Sequence, residues 1–243
     1  MCGIVGIVDA GGVSIQLYYA LYALQHRGQE SAGISTFDSS HLHKFKGNGL
    51  VADVFSPPVL NDLKGTAGVG HVRYPTTGKN LPENIQPLNF QFQEHFISIA
   101  HNGNLVNTVE LRANYERAGQ IFITTTDTEI IAKILINALS NSGSVEDAVS
   151  LCMHKLVGSY ATIMMIDGVM YGFRDPLGIK PLGIGKTEHG YMLASESVAM
   201  DALGAKFLRD VKPGELIRID AEGVRCMQVA VAGKCAHCVF EYI

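Results

Sequence analysis

The stretch Met1–Ala10, MCGIVGIVDA, sets a short apolar run directly behind a cysteine at position 2. Unbroken apolar runs of this length, bounded by Gly and Asp, suit a strand buried on both faces. A cysteine at its head serves equally as a small hydrophobe or as chemistry. If the initiator methionine is removed, Cys2 carries a thiol and a free α-amine on one carbon. The ordinary pKa of such an amine, about 7.7–8.0, leaves a neutral fraction able to take a thiol proton near neutral pH.

Similar runs recur at 32–37, 68–72, 96–100, 161–166, 170–173, 191–194 and 215–219, so the chain is strand-rich. Helical spacing marks SIQLYYALYALQHRG (14–28), where Ser14 is expected as cap and Gly28 as stop. It returns in NTVELRANYERAG (107–119), TDTEIIAKILINALSNSG (126–143) and SVEDAVSLCMHKLVG (144–158). Strands therefore flank a helical block over roughly residues 107–157. Asp167–Gly168, between two strand-like runs, reads as a hairpin turn. We find no repeat, low-complexity tract or long linker, and expect one domain over residues 1–243.

A net charge of −4 with 17% charged residues offers no basic footprint for nucleic acid. No apolar stretch approaches the roughly 20 residues of a membrane span, and a cytoplasmic protein is expected. Five cysteines without a secretory leader point to free thiols. In CAHC, Cys235 and Cys238 have the spacing of half a zinc site, but the other half is missing, and no metal is expected.

Three polar clusters interrupt the framework. HVRYPTTGKNLPEN (71–84) carries Arg73 out of a strand, with its guanidinium fork available to a carboxylate. In AHNGN (100–104), Asn102 and Gly103 follow a strand expected to end at Ala100; an amide beside a glycine N–H suits an oxyanion or a turn. In TTTDTEI (124–130), Thr126 and Glu129 fit a capping box, and Asp127 lies in the first helical turn. His26 and Arg27 suit a helix carboxyl end, and His71 suits the core.

Taken in order, CGIVGI, LQHRGQESAGI, GNGLVADVF, GHVRYPTTG, AHNGNL, TTDTE, FRDPLGIKPL, ASESVA and CVFEYI resemble the class II glutamine amidotransferases over nearly the whole chain. The resemblance is to the subfamily whose ammonia goes to phosphoribosyl diphosphate in purine biosynthesis. It implies an α+β fold, the four-layer αββα sandwich of N-terminal nucleophile hydrolases, with two mainly antiparallel sheets between helical layers. It also implies Cys2 as nucleophile on L-glutamine, Asn102 and Gly103 as oxyanion hole, Arg73 and Asp127 as holders of the substrate carboxylate and ammonium, and Arg27 as a supporting residue.

Relatives continue beyond FEYI into a phosphoribosyltransferase domain, and form homo-oligomers at full length. Some of them hold an iron–sulfur cluster for which Cys238 would be one ligand; this chain alone is expected to hold none. The loop 74–84, with little apolar surface, is expected to be mobile in the isolated domain. The resemblance leaves two other classes to be weighed: a non-catalytic glutamine-binding or assembly module, and a cysteine amidase acting on another amide.

Overall fold

A computed structural model describes residues 1–74 and 81–241. Most of the loop expected to be mobile, residues 75–80, lies outside the described residues. The strands are β1 (Gly3–Asp9), β2 (Ser31–Phe37), β3 (Leu42–Asn48), β4 (Ala67–Arg73), β5 (Leu88–Phe92), β6 (His95–Leu105), β7 (Gly158–Ile166), β8 (Val169–Arg174), β9 (Gly183–Lys186), β10 (Gly190–Ala194), β11 (Lys206–Asp210), β12 (Glu215–Asp220) and β13 (Gly223–Gln228). They pair antiparallel into a seven-stranded sheet, β11-β9-β10-β1-β4-β2-β3, and a six-stranded sheet, β13-β12-β8-β7-β6-β5. The helices are α1 (Ser14–Ala23), α2 (Val51–Val54), α3 (Pro57–Asp62), α4 (Thr108–Arg117), α5 (Asp127–Ser142), α6 (Val145–Lys155) and α7 (Val198–Asp201).

Side-chain alternation explains the layering. In β1, Val5 and Ile7 face Leu17 and Leu21 of α1, whereas Ile4 faces the other sheet, so both faces of the run are buried. Ala100, Ala161 and Ile163 meet Ile4 and Val69 between the sheets. Ile130, Ile134 and Leu135 of α5, with Val149 and Cys152 of α6, cover the outer face of the six-stranded sheet against Ile97, Ile99 and Met164. The result is the α+β, four-layer αββα sandwich. The Asp167–Gly168 turn joins β7 to β8 with both residues at positive φ, 47° and 85°, as a two-residue hairpin turn requires.

Several local expectations change. β6 does not stop at Ala100 but runs to Leu105, because β7 pairs with it along its length to Gly158. α1 is capped at Val13 without a side-chain bond, and it gives way after Ala23 to a 3₁₀ turn, Gln25–Arg27. Thr126 is the N-cap of α5, yet the capping box does not form. The Glu129 carboxylate instead accepts from the N–H groups of Ile123 and Thr124, and Thr126 Oγ1 pairs with Thr124 Oγ1 at 2.9 Å. The segment before α5 doubles back far enough to offer Glu129 two earlier donors.

Candidate active site

The candidate residues gather at one end of the space between the sheets. Cys2 precedes β1 and shares the side of Ile4, so its side chain belongs to the inter-sheet face. Arg73 ends the neighbouring β4 on the same face as Val69. Asn102 keeps step with Ala100 on the facing surface of β6. Asp127 opens α5 at the rim.

The Cys2 thiol is buried and lies 3.6 Å from the Tyr74 carbonyl. Burial pushes that thiol above its usual pKa range; the nearby amino terminus and Arg73 offset this only in part, and Asp127 adds to it. The resting thiol is thus protonated and needs a base. The amino-terminal ammonium, which in this structure is that of Met1, is held below its ordinary value of 8.0, first by burial and then by the positive charges of Arg27 and Lys180. These surroundings favour the neutral form of an amine at this end of the chain, the form that accepts a proton.

Arg73 is 3% exposed, and its Nη1 pairs with Glu30 Oε1 at 3.2 Å. The Glu30 N–H also donates to the Arg73 carbonyl at 3.1 Å, so residue 30 ties down both backbone and head group. Gly28 is required here by contact: a Cβ would lie 2.5 Å from the Arg73 carbonyl carbon.

The Asn102 amide nitrogen is buried and has no hydrogen-bond partner among the described residues. On β6, the His101 N–H donates to Gln86 Oε1 at 2.8 Å and the Leu105 N–H to Asp127 Oδ2 at 3.2 Å. Both point away from β7, and alternation directs the intervening Gly103 N–H to the same side, beyond the end of β5. A Cβ on Gly103 would sit 2.1 Å from the Ser159 carbonyl oxygen, so only glycine lets β6 approach β7 here.

Asp127 lies 3.3 Å from His101 Nδ1. Burial opposes its ionisation most strongly, yet the His101 charge and hydrogen bond, with the Leu105 N–H, hold the carboxyl below the ordinary range. His71 is fully buried beneath Arg73; burial, followed by the Arg73 and His101 charges, pushes its ring down to about 3 and keeps it neutral, as suits a core residue. Arg27 is buried and donates through Nε to the Cys2 carbonyl at 2.9 Å. His26 is an exposed partner of Glu196 at 3.0 Å.

The sequence reading did not assign roles to Glu30, His101, Lys180, Glu196 or Glu241, all of which hold candidate residues or each other. Their motifs were visible, but their contacts join segments far apart in the chain. Around Cys235 and Cys238, as elsewhere among the described residues, no group of three or more His, Cys, Asp or Glu side chains is placed to hold an ion. Cys238 Sγ lies 4.0 Å from Lys180 Nζ, and Cys235 Sγ lies 3.7 Å from His237 Nε2.

A glutamine amidotransferase domain model matches residues 71–202, more than half of the sequence, and the chain belongs to that family. It is 45% identical, over its whole length, to the amidophosphoribosyltransferase of Methanothermobacter thermautotrophicus, and 44% identical to that of Archaeoglobus fulgidus. The match covers 52% and 53% of those proteins, so the chain spans about half the length of these curated relatives. The solved glutamine phosphoribosylpyrophosphate amidotransferase of B. subtilis, in complex with ADP and GMP, superposes with a TM-score of 0.91 at 38% identity, covering 99% of this chain and 52% of that one.

Proposed function

We propose that the chain hydrolyses L-glutamine to glutamate and ammonia through a thioester on Cys2. Residues 1–243 would form one glutaminase domain, and the ammonia would go to phosphoribosyl diphosphate, in purine biosynthesis, on a phosphoribosyltransferase domain or subunit. The observation that carries the reading is the buried thiol at the head of β1, with Arg73, Asp127 and the unpartnered Asn102 amide around the same space. The names of the relatives support the acceptor. Among the described residues no helix is long and apolar enough to cross a membrane; a cytoplasmic location is part of the proposal and rests on the family resemblance. Self-association is expected of a full-length form by family resemblance alone.

With Met1 removed, the Cys2 α-amine takes the thiol proton through a water, because amine and thiol share one residue and cannot align directly. Sγ then attacks the side-chain amide carbon of glutamine. The oxygen that becomes negative accepts hydrogen bonds from Asn102 Nδ2 and the Gly103 N–H. The α-ammonium returns the proton to nitrogen as the C–N bond breaks and ammonia leaves. Water, deprotonated by the same amine, hydrolyses the thioester to glutamate. Arg73 pairs with the substrate carboxylate, Asp127 with its ammonium, and Arg27 steadies the Cys2 carbonyl.

The test is ammonia release from a panel of amides, L-glutamine, D-glutamine and L-asparagine among them, with Cys2→Ala as control. Release from L-glutamine alone, abolished in Cys2→Ala, is expected. Glutamine binding without release would indicate an assembly module, and preference for another amide would indicate a different cysteine amidase.

A further inference from the structure

Glu241, in the 3₁₀ turn Val239–Glu241, is remote in sequence from Cys2, yet its side chain is only 6% exposed. Its two oxygens take separate cations: Oε2 accepts from Arg27 Nη2 at 2.8 Å, and Oε1 from Lys180 Nζ at 2.9 Å. The Arg27 side chain, 2% exposed, also pairs with Glu196 and donates from Nε to the Cys2 carbonyl. An unbroken polar chain thus runs from Lys180 through Glu241 and Arg27 to the backbone of Cys2.

We infer that Glu241 is a positioning residue for Cys2: by neutralising Arg27 and Lys180 together, it holds the guanidinium against the Cys2 carbonyl and sets the charge around the α-amine. The inference rests on the reading of Cys2 as an amino-terminal nucleophile. Amine and carbonyl of one residue sit on the same Cα, so a guanidinium bound to the carbonyl lies within a few ångströms of the amine as well. Arginine cannot shed its charge, and without Glu241 the one carboxylate it keeps among the described residues is Glu196, partly exposed and shared with His26. Among the described residues, Lys180 then keeps only the Cys238 sulfur at 4.0 Å.

The charges around the amine fix the direction of the effect. At the amino terminus, Met1 in this structure, Arg27 and Lys180 disfavour protonation while the Cys2 thiol and Glu241 favour it, and Glu196 pairs with both Arg27 and His26. With Met1 removed the Cys2 amine takes its place among the same charges. Cys235 and His237 border the adjoining cavity, and the charges of Arg73 and Asp127 act on the Cys2 thiol. Removing the Glu241 charge therefore moves the amine titration to lower pH. It also frees the guanidinium from one of its anchors, and the nucleophile loses its alignment.

The experiment compares Glu241→Gln with wild type in glutamine hydrolysis across pH. A kcat lower by about tenfold with KM within about twofold is expected, since misplaced reacting groups cost turnover more than binding. The acid limb of kcat/KM should shift by roughly a few tenths of a unit to lower pH, the direction set by losing a nearby opposite charge. The double variant Lys180→Met/Glu241→Gln, which removes one cation with the anion, should bring that limb back toward wild type. If calorimetry shows Glu241→Gln unfolded, Glu241→Asp takes its place, and should lower kcat while leaving the limb unmoved.

Wild-type kcat in Glu241→Gln, a limb shifted to higher pH, or an effect on KM alone would overturn the inference. Cys2→Ala that still releases ammonia would overturn the nucleophile reading itself. An inactive Cys2→Ala beside an unaltered Glu241→Gln would overturn only the role of Glu241.

Discussion

Replacing Asn102 by alanine separates catalysis from stability, because the structure assigns its amide nitrogen no partner among the described residues. A buried donor left unsatisfied costs about 1–3 kcal/mol, and Asn102→Ala removes that cost. The lost packing of a side chain only 1% exposed works in the opposite direction and is of similar size. The net change in stability should fall within about 1 kcal/mol, or about 2–4 °C in Tm for a chain of this length. If the amide donates to the developing oxyanion, kcat should fall by about 10²–10³, equivalent to about 2.7–4 kcal/mol, with KM little changed. Ammonia release at saturating glutamine gives kcat, and calorimetry of the same preparation gives Tm. A kcat within about threefold of wild type would refute the oxyanion role. A fall in Tm above about 10 °C would show that the amide is structural.

Arg73→Leu should raise KM for glutamine by about 10–100-fold while sparing kcat, and should lower Tm because it leaves the half-buried Glu30 carboxylate without its cation. Adding Glu30→Gln should recover the Tm but not the KM; recovery of both would make Arg73 a structural residue. His71 binds its proton far less readily when folded, at about 3, than its ordinary value of about 6.5. Between those values the unfolded chain holds the extra proton, so stability is complete about a unit above pH 6.5 and falls as pH drops, by up to about 1.4 kcal/mol per pH unit. His71→Asn should flatten that slope, measured as urea midpoints at about pH 7 and pH 5; parallel slopes would contradict the assignment.

The strands legible in the sequence were those with neighbours on both sides. All eight expected runs became interior strands, while β3, β5, β11 and β13, the four sheet edges, were missed. Edge strands carry polar and half-exposed residues such as those of Leu42–Asn48, and so lack the apolar run that betrays a central strand. β9 escaped for a different reason, being only four residues long with two glycines. Candidate site residues were legible where they end or begin interior strands, as Cys2 and Arg73 do. Their supports were not, because Arg27 meets Glu241 across 214 residues and that meeting is decided by packing. The capping pattern at Thr126 misled because its Glu129 found the earlier donors of Ile123 and Thr124.

Mass spectrometry of the amino-terminal peptide, taken from protein quenched in acid during turnover of L-glutamine, tests the central claim most directly. The account predicts a peptide that begins at Cys2 and carries a glutamyl group in thioester linkage, lost on treatment with hydroxylamine and missing in a sample without substrate. Full activity in protein that wholly retains Met1, or turnover with no acyl group on Cys2, would contradict it.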